Sequence, residues 1–478
     1  MTSPHAPRWL SALLLLAGSS SWAQAGAELP AGPAPLPVTS LVVEAASQAV
    51  PPLVCPAPPR QRPGARAQVP ARPGRAQAAR GPDEPTDLPD DAEVARALAE
   101  PANPDRPPAP AARVTVRPAP QSPLRVAVWG DSHMAAGFFT EELARLAGVR
   151  DTLAQPRLLP AGFGHAGVRG LVRRACVSGR WVRESAHASA TAARQPGPGL
   201  VSLVNAAPAA ELAWDLRDAD GQARHRRVRL LVAPSAAGVA LEVSADGASA
   251  RTVLLGSEAA GSVLELTSAG GALSVLRLRV LEGTLRLQGL QLGEPEQASD
   301  PLQIDLYGYP GATVAGWAQA DAAAHAAWFT DRRYDLVVLA YGTNEANDPA
   351  FRAEDYRAQL VRAVTRLRER FPDSQCLLVA PGDRGVRVPR KRAAARPRTD
   401  VLRYARLHAQ VAAIQQEVAQ AAGCAAWSMQ AAMGGAGSAY RWARQQPAWM
   451  APDLIHFTPA GYRELARRLG AELGWVAP

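Results

Sequence analysis

The chain has 478 residues, room for two or three domains, and a formal net charge of +9. Of its 52 basic side chains all but Lys391 are arginine, scattered rather than striped. No nucleic-acid-binding module accompanies them, which argues against nucleic acid as a partner. Past the N-terminus no stretch is long and apolar enough to cross a bilayer.

Residues 1–25 read as a signal peptide. Arg8 gives a positive start, Leu10–Ala17 a short apolar run, and Ala23-Gln24-Ala25 the small residues of a cleavage site. An uncleaved anchor is the alternative, and both predict export to the periplasm or cell envelope. Residues 26–122 are rich in Pro, Ala and Arg and hold no aromatic residue. Such a composition predicts a disordered linker, with a helical turn or two at Glu93–Glu100.

Order is expected from Leu124–Trp129, a buried-type strand that runs into Gly130-Asp131-Ser132, followed by a helix over Thr140–Leu146. Residues 171–300 show period-two alternation over Ala210–Arg217, Arg227–Val232, Val239–Ser244, Val263–Thr267, Leu276–Val280 and Leu285–Leu292. Asp220-Gly221, Asp246-Gly247, Gly270-Gly271 and Glu282-Gly283 separate them as turns, which predicts an inserted β-sandwich. Only Trp181 and Trp214 could stack on sugar rings there, so a structural module is favoured over a carbohydrate-binding one.

From residue 301 strands alternate with helices. The strands are Ile304–Tyr307, Leu336–Ala340, Leu377–Ala380 and Ala425–Met429; the helices are Thr313–Trp328, Ala353–Arg370, Val401–Ala421 and Pro459–Leu473. This predicts an α/β domain with a parallel sheet, residues 123–170 and 301–478, and a site beyond the carboxyl ends of its strands. Cys376 and Cys424 read as buried free thiols, a bridge between them being the alternative. The spacing of the four cysteines fits no zinc site.

Four segments at those strand ends carry the chemistry: Gly130-Asp131-Ser132-His133, Gly308-Tyr309-Pro310-Gly311-Ala312-Thr313, Gly342-Thr343-Asn344-Glu345 and Asp453-Leu454-Ile455-His456. Ester hydrolysis needs an oxygen nucleophile, a base and donors for the carbonyl oxygen. Ser132, at a strand-to-helix turn, is the candidate nucleophile; His456 is the base and Asp453 its orienting carboxylate. The Gly311 N–H and the Asn344 amide are the candidate oxyanion donors. Singly, each segment also suits a helix cap or a turn.

Together the segments resemble the SGNH (GDSL-type) hydrolase superfamily over Pro123–Gly170 and Pro301–Pro478. That resemblance implies a flavodoxin-like three-layer fold, with the roles just given to Ser132, Gly311, Asn344, Asp453 and His456, and no metal or cofactor. Gly-Asp-Ser-His in place of Gly-Asp-Ser-Leu, the β insert and Met433–Ser438 are similar to bacterial peptidoglycan O-acetylesterases. The implied activity is removal of O-acetyl groups from a cell-envelope glycan such as peptidoglycan, at the muramyl 6-O-acetyl. A glycan O-acetyltransferase, an esterase for another acetylated polysaccharide, and a non-catalytic envelope scaffold with a vestigial site are the alternatives.

Two further patterns are set aside. Gly162–Gly167 has dinucleotide-fingerprint spacing, but Pro156 and Pro160 precede it and no helix is expected after it, so a loop beside the ester site is the reading. The basic run Arg384–Arg398 is read as a solvated loop, with a surface for anionic polymer as the alternative.

Overall fold

The computed structural model describes residues 36–44, 50–56, 86–99, 123–153, 157–187, 197–258, 261–293, 300–320, 322–330, 332–389 and 399–475. The signal peptide, the proposed cleavage site and residues 390–398 of the basic run lie outside these.

Five parallel strands form the catalytic sheet in the order Leu302–Gly308, Leu124–Gly130, Leu336–Ala340, Gln375–Ala380, Ala425–Ser428. Numbered along the chain within this sheet, the order is 2-1-3-4-5, that of flavodoxin-like folds. Alternation explains why these residues form a strand with helices on both faces. Val126 and Val128 join one core with Phe139 of the helix Phe138–Leu146 and with Leu465 and Leu469 of the helix Pro459–Glu472. Ala127 and Trp129 point the other way, into a core with Leu360 of Ala353–Arg370 and Val411 of Arg403–Ala421. Trp129 is fully buried, stacks 4.7 Å from the Tyr307 ring and donates its indole N–H to the Pro198 carbonyl at 2.8 Å.

The insert is two facing antiparallel sheets. One runs Ser262–Ser268, Arg227–Val232, Arg286–Leu292, Val201–Asn205, Trp181–Ser185; the other runs Arg251–Leu255, Val239–Ala245, Val275–Glu282, Glu211–Asp215, Arg174–Ser178. Leu230, Leu266 and Leu290 of the first meet Trp214, Leu241 and Leu278 of the second in one core, as the inner faces of a sandwich do. The short strand Leu158–Pro160 pairs with Arg286–Leu292, so pairing to the insert starts ahead of residue 171. The helix expected over Thr313–Trp328 is broken into Ala315–Gln319 and Ala322–Ala327.

The linker expectation for residues 26–122 fails at three places. Val38–Val43 adds a parallel edge strand against Ser262–Ser268. Residues 50–56 dock on the second sheet, with Leu53 buried beside Ala213 and Val275. Thr86–Asp87 pairs with Val388–Pro389; the helix Asp91–Ala99, where a turn or two is expected at Glu93–Glu100, is docked rather than free and buries Val94 against Leu402, Tyr440 and Leu454. Each piece is too short to build a core alone. Each is ordered by apolar surface and unpaired backbone that the rest of the fold already presents.

The thiol expectation is corrected too. Cys376 and Cys424, on adjacent strands, are bridged at a Cα–Cα distance of 4.8 Å. Cys55 is bridged to Cys176, which ties the N-terminal segment to the insert.

Candidate active site

The strand Leu124–Gly130 ends where the chain must turn sharply. A Cβ on Gly130 would stand 2.9 Å from the Ala340 carbonyl oxygen, so only glycine lets the neighbouring strand approach there. Asp131 then caps the one-turn helix Ser132–Ala135 by accepting from the His133 N–H at 2.9 Å. Burial pushes the Asp131 carboxyl up to about 6, against hydrogen bonds from His133 and Thr343. The result is a Ser132 side chain turned outward with its own N–H at a helix start.

Ser132 Oγ lies 2.9 Å from His456 Nε2, and His456 Nδ1 lies 2.7 Å from Asp453 Oδ2. The other Asp453 oxygen accepts the Ile455 and His456 N–H groups, each at 3.0 Å. Burial opposes ionisation of Asp453, but the His456 bond and these two donors hold its carboxyl well below the usual range. His456 is shifted upward by the Asp453 hydrogen bond, against its partial burial. With Asp453 ionised, Nδ1 carries the proton and Nε2 is the free base facing the hydroxyl. The turn that brings this about is strained: Leu454 has φ +57°, and its side chain is buried under Val94 and Tyr440.

His133, the departure from the commoner serine block, is buried with its ring centroid 5.4 Å from that of His456 and 5.2 Å from that of Phe457. Its Nδ1 is 3.2 Å from the Tyr462 hydroxyl. Burial and the neighbouring His456 push it down to about 3, so it backs the base as a neutral ring.

Backbone bonds gather the other segments around Ser132. Tyr309 donates to the Gly130 carbonyl at 3.0 Å, and Asp131 donates to the Ala340 carbonyl at 3.2 Å. Asn344 gives one amide proton to the Ala312 carbonyl at 2.8 Å, which fixes the orientation of the other. Gly311 has φ +78° with open space where a Cβ would be. The structure thus brings Ser132, Asp453 and His456 into direct contact and ties Asn344 to the residue after Gly311.

Two residues given no role in the sequence reading hold this loop. Glu345 accepts from Val314 N at 2.8 Å and Gly342 N at 3.0 Å, and burial pushes its carboxyl up to about 7. Its place three residues after Gly342 is a capping-box spacing, a signal that was available. His187, from the insert, has Nδ1 2.8 Å from the Thr313 carbonyl, so Nδ1 carries the proton and donates. A lone histidine after a strand carries no sequence signal of such a contact. Gly162–Gly167 packs against this same segment, with the His165 and Tyr309 ring centroids 4.9 Å apart. The strand Arg174–Ser178, not a helix, is the next element after it. Of the basic run, Arg384 lies 3.6 Å over the Tyr404 ring and bonds the Asn347 side chain, and Arg387 donates to the Pro452 carbonyl at 2.9 Å beside Asp453. Among the described residues no cluster of His, Cys, Asp or Glu could hold a metal.

A serine, histidine and aspartate in hydrogen-bonded series beyond the carboxyl ends of a 2-1-3-4-5 parallel sheet is an arrangement suited to ester hydrolysis. The sequence profile of the GDSL-like Lipase/Acylhydrolase family matches residues 291–464, which marks that part of the chain as similar to carboxylic ester hydrolases of this type. The fold is shared with a solved peptidoglycan O-acetylesterase, at 23% identity and a TM-score of 0.55 over 74% of this chain and 91% of that one. A family two carbohydrate esterase from Cellvibrio japonicus aligns at 13% identity over 63% of this chain and 99% of its own, but its TM-score of 0.25 supports no conclusion. No curated protein sequence matches significantly.

Proposed function

We propose that the protein is an exported serine esterase that removes O-acetyl groups from a cell-envelope glycan, peptidoglycan being the foremost substrate. The contact of Ser132 Oγ with His456 Nε2, continued to Asp453, carries the reading. Ser132 attacks the acetyl carbonyl while His456 takes its proton, and the Asp453 carboxylate stabilises the imidazolium. The Ser132 and Gly311 N–H groups and the free Asn344 amide proton hold the oxyanion. His456 then protonates the departing sugar hydroxyl, and water, activated by the same base, releases acetate from Ser132.

Two disulfides suit an oxidising compartment and support export. The fold shared with a peptidoglycan O-acetylesterase supports the choice of glycan. Purified protein incubated with O-acetylated peptidoglycan and, separately, with acetylated xylan tests the substrate: faster acetate release from peptidoglycan is expected. Ser132→Ala should abolish release from both while keeping the native circular dichroism spectrum; retained release would refute the mechanism.

A further inference from the structure

At the amino ends of the catalytic strands, on the far side of the sheet from Ser132, a cleft of about 190 Å³ opens between the sheet and the insert. Arg125 begins the strand whose other end carries Ser132, so the two sites stand roughly 20 Å apart, seven residues at about 3.3 Å each. Six arginines line the cleft: Arg125, Arg157, Arg227, Arg229, Arg332 and Arg333. They come from both domains, and among the described residues Asp305 is the one acidic residue in the lining.

The deep members are held in place. Arg332 reaches Asp305 at 2.6 Å and the Arg157 carbonyl at 3.0 Å, while its Nε–H is buried without a partner. Arg157 is buried, with an Nη 3.4 Å from the Gly293 carbonyl. Arg229 is paired with Glu265 at 2.5 Å. At the mouth, Arg125, Arg227 and Arg333 are exposed and make no side-chain hydrogen bond or ion pair among the described residues. Exposed guanidinium groups gathered around one cleft repel each other, and these have no stabilising partner among the described residues.

We propose that this cleft binds a phosphate-bearing anion. Guanidinium forks suit carboxylate and phosphate alike, but a carboxylate offers two oxygens. Forks converging from the sheet, the insert and the segment before Leu336–Ala340 call for an anion with three or four acceptor oxygens and more than one charge. Bound far from the ester site, such a group on an envelope polymer would hold the enzyme at its substrate and raise the local ester concentration.

The site is tested by titration calorimetry at low ionic strength with inorganic phosphate, pyrophosphate, succinate and glycerophosphoglycerol. Saturable binding of pyrophosphate and phosphate, and weaker binding of succinate, is expected. The variant R125Q/R227Q/R333Q should bind at least roughly tenfold more weakly, because hydrogen bonds to charged groups are lost. Its turnover of a small soluble aryl acetate should be unchanged, and Ser132→Ala should bind phosphate as the parent does. Binding of the diester as well points to phosphate within a chain; its exclusion points to a free or terminal phosphate. The proposal is overturned if the parent binds no phosphate. It is equally overturned if the triple variant binds unchanged, or succinate binds as tightly. Because binding is read without turnover, its failure leaves the esterase reading untouched.

Discussion

His187 belongs to the insert, yet replacing it should slow the esterase more than it unfolds the protein. Three bonds hold the proposed oxyanion loop: Asn344 to the Ala312 carbonyl, His187 to the Thr313 carbonyl and Val314 N–H to Glu345, all at 2.8 Å. His187→Ala removes the middle one. A net hydrogen bond of about 0.5–1.5 kcal/mol, expressed wholly in the transition state, corresponds to roughly a 2- to 13-fold loss in kcat. Outright loss of an oxyanion donor would cost about 10²–10³-fold, which sets the ceiling. The stability cost is softened because the buried His187 Nε2 has no partner, and burial has already pushed the ring down to about 4. Deleting the ring removes an unsatisfied atom along with the bond. The assay is kcat and KM on an aryl acetate, the melting temperature, and the affinity of a phosphonate that mimics the oxyanion. Kcat and phosphonate affinity should fall together with KM nearly constant, and His187→Gln, which keeps an N–H donor, should recover part of both. Unchanged kcat in the alanine variant, or a loss matched by the unfolded fraction, would refute the positioning role.

Asp453→Asn should lower kcat by roughly 10³–10⁴-fold, since an amide favours the wrong His456 tautomer. The pH profile follows the same pair. His456 is shifted up, so the fraction of free base, and with it kcat/KM, falls as pH drops through a value above 6.5, and Asp453→Asn should move that limb to lower pH. The stability that the Asp453 contact lends protonated His456 is full below 6.5 and is lost as pH rises through the folded value, which pH-dependent unfolding should show. Opening the Cys376–Cys424 bridge, 48 residues apart, should cost up to about 4 kcal/mol in a denaturant titration of the double alanine variant. Gly311→Ala should fold, with about 1–2 kcal/mol of backbone strain and slowed turnover. Gly308→Ala should fail to fold stably, because its Cβ would stand 2.2 Å from the Ala135 N; expression and melting curves separate the two.

The catalytic half was legible because its signals are local. The helix at Ala353–Arg370 and the strand at Leu336–Ala340 fall where periodicity put them. The proline at the first turn of Pro459–Glu472 and its Thr458 cap mark a helix start in any context. What stayed hidden depends on distant partners. Val38–Val43 reads as linker, because its strand exists only through pairing with Ser262–Ser268. Cys55 and Cys176 are 121 residues apart, a pairing no spacing rule reveals. His187 is invisible for the same reason, its partner being a carbonyl 126 residues away.

These long-range ties change what the insert is. A separable binding module would meet the catalytic sheet through a polar seam and leave the sheet's own core closed. Instead Trp129, one residue ahead of the serine segment, completes its hydrogen bonding on Pro198, and Leu200 and Leu231 share the core that holds Trp129 and Tyr307. Gly316 has no side chain because the His187 ring occupies that space, where a Cβ would come within 2.3 Å. The serine strand and the Gly311 loop are therefore each packed against the insert. Cutting out residues 171–300 would leave a buried tryptophan N–H unpaired and an apolar face open. The inserted sheets back the serine strand and the Gly311 loop, so a chain lacking residues 171–300 should lose its cooperative melting transition; a cooperatively folded excision variant would refute this.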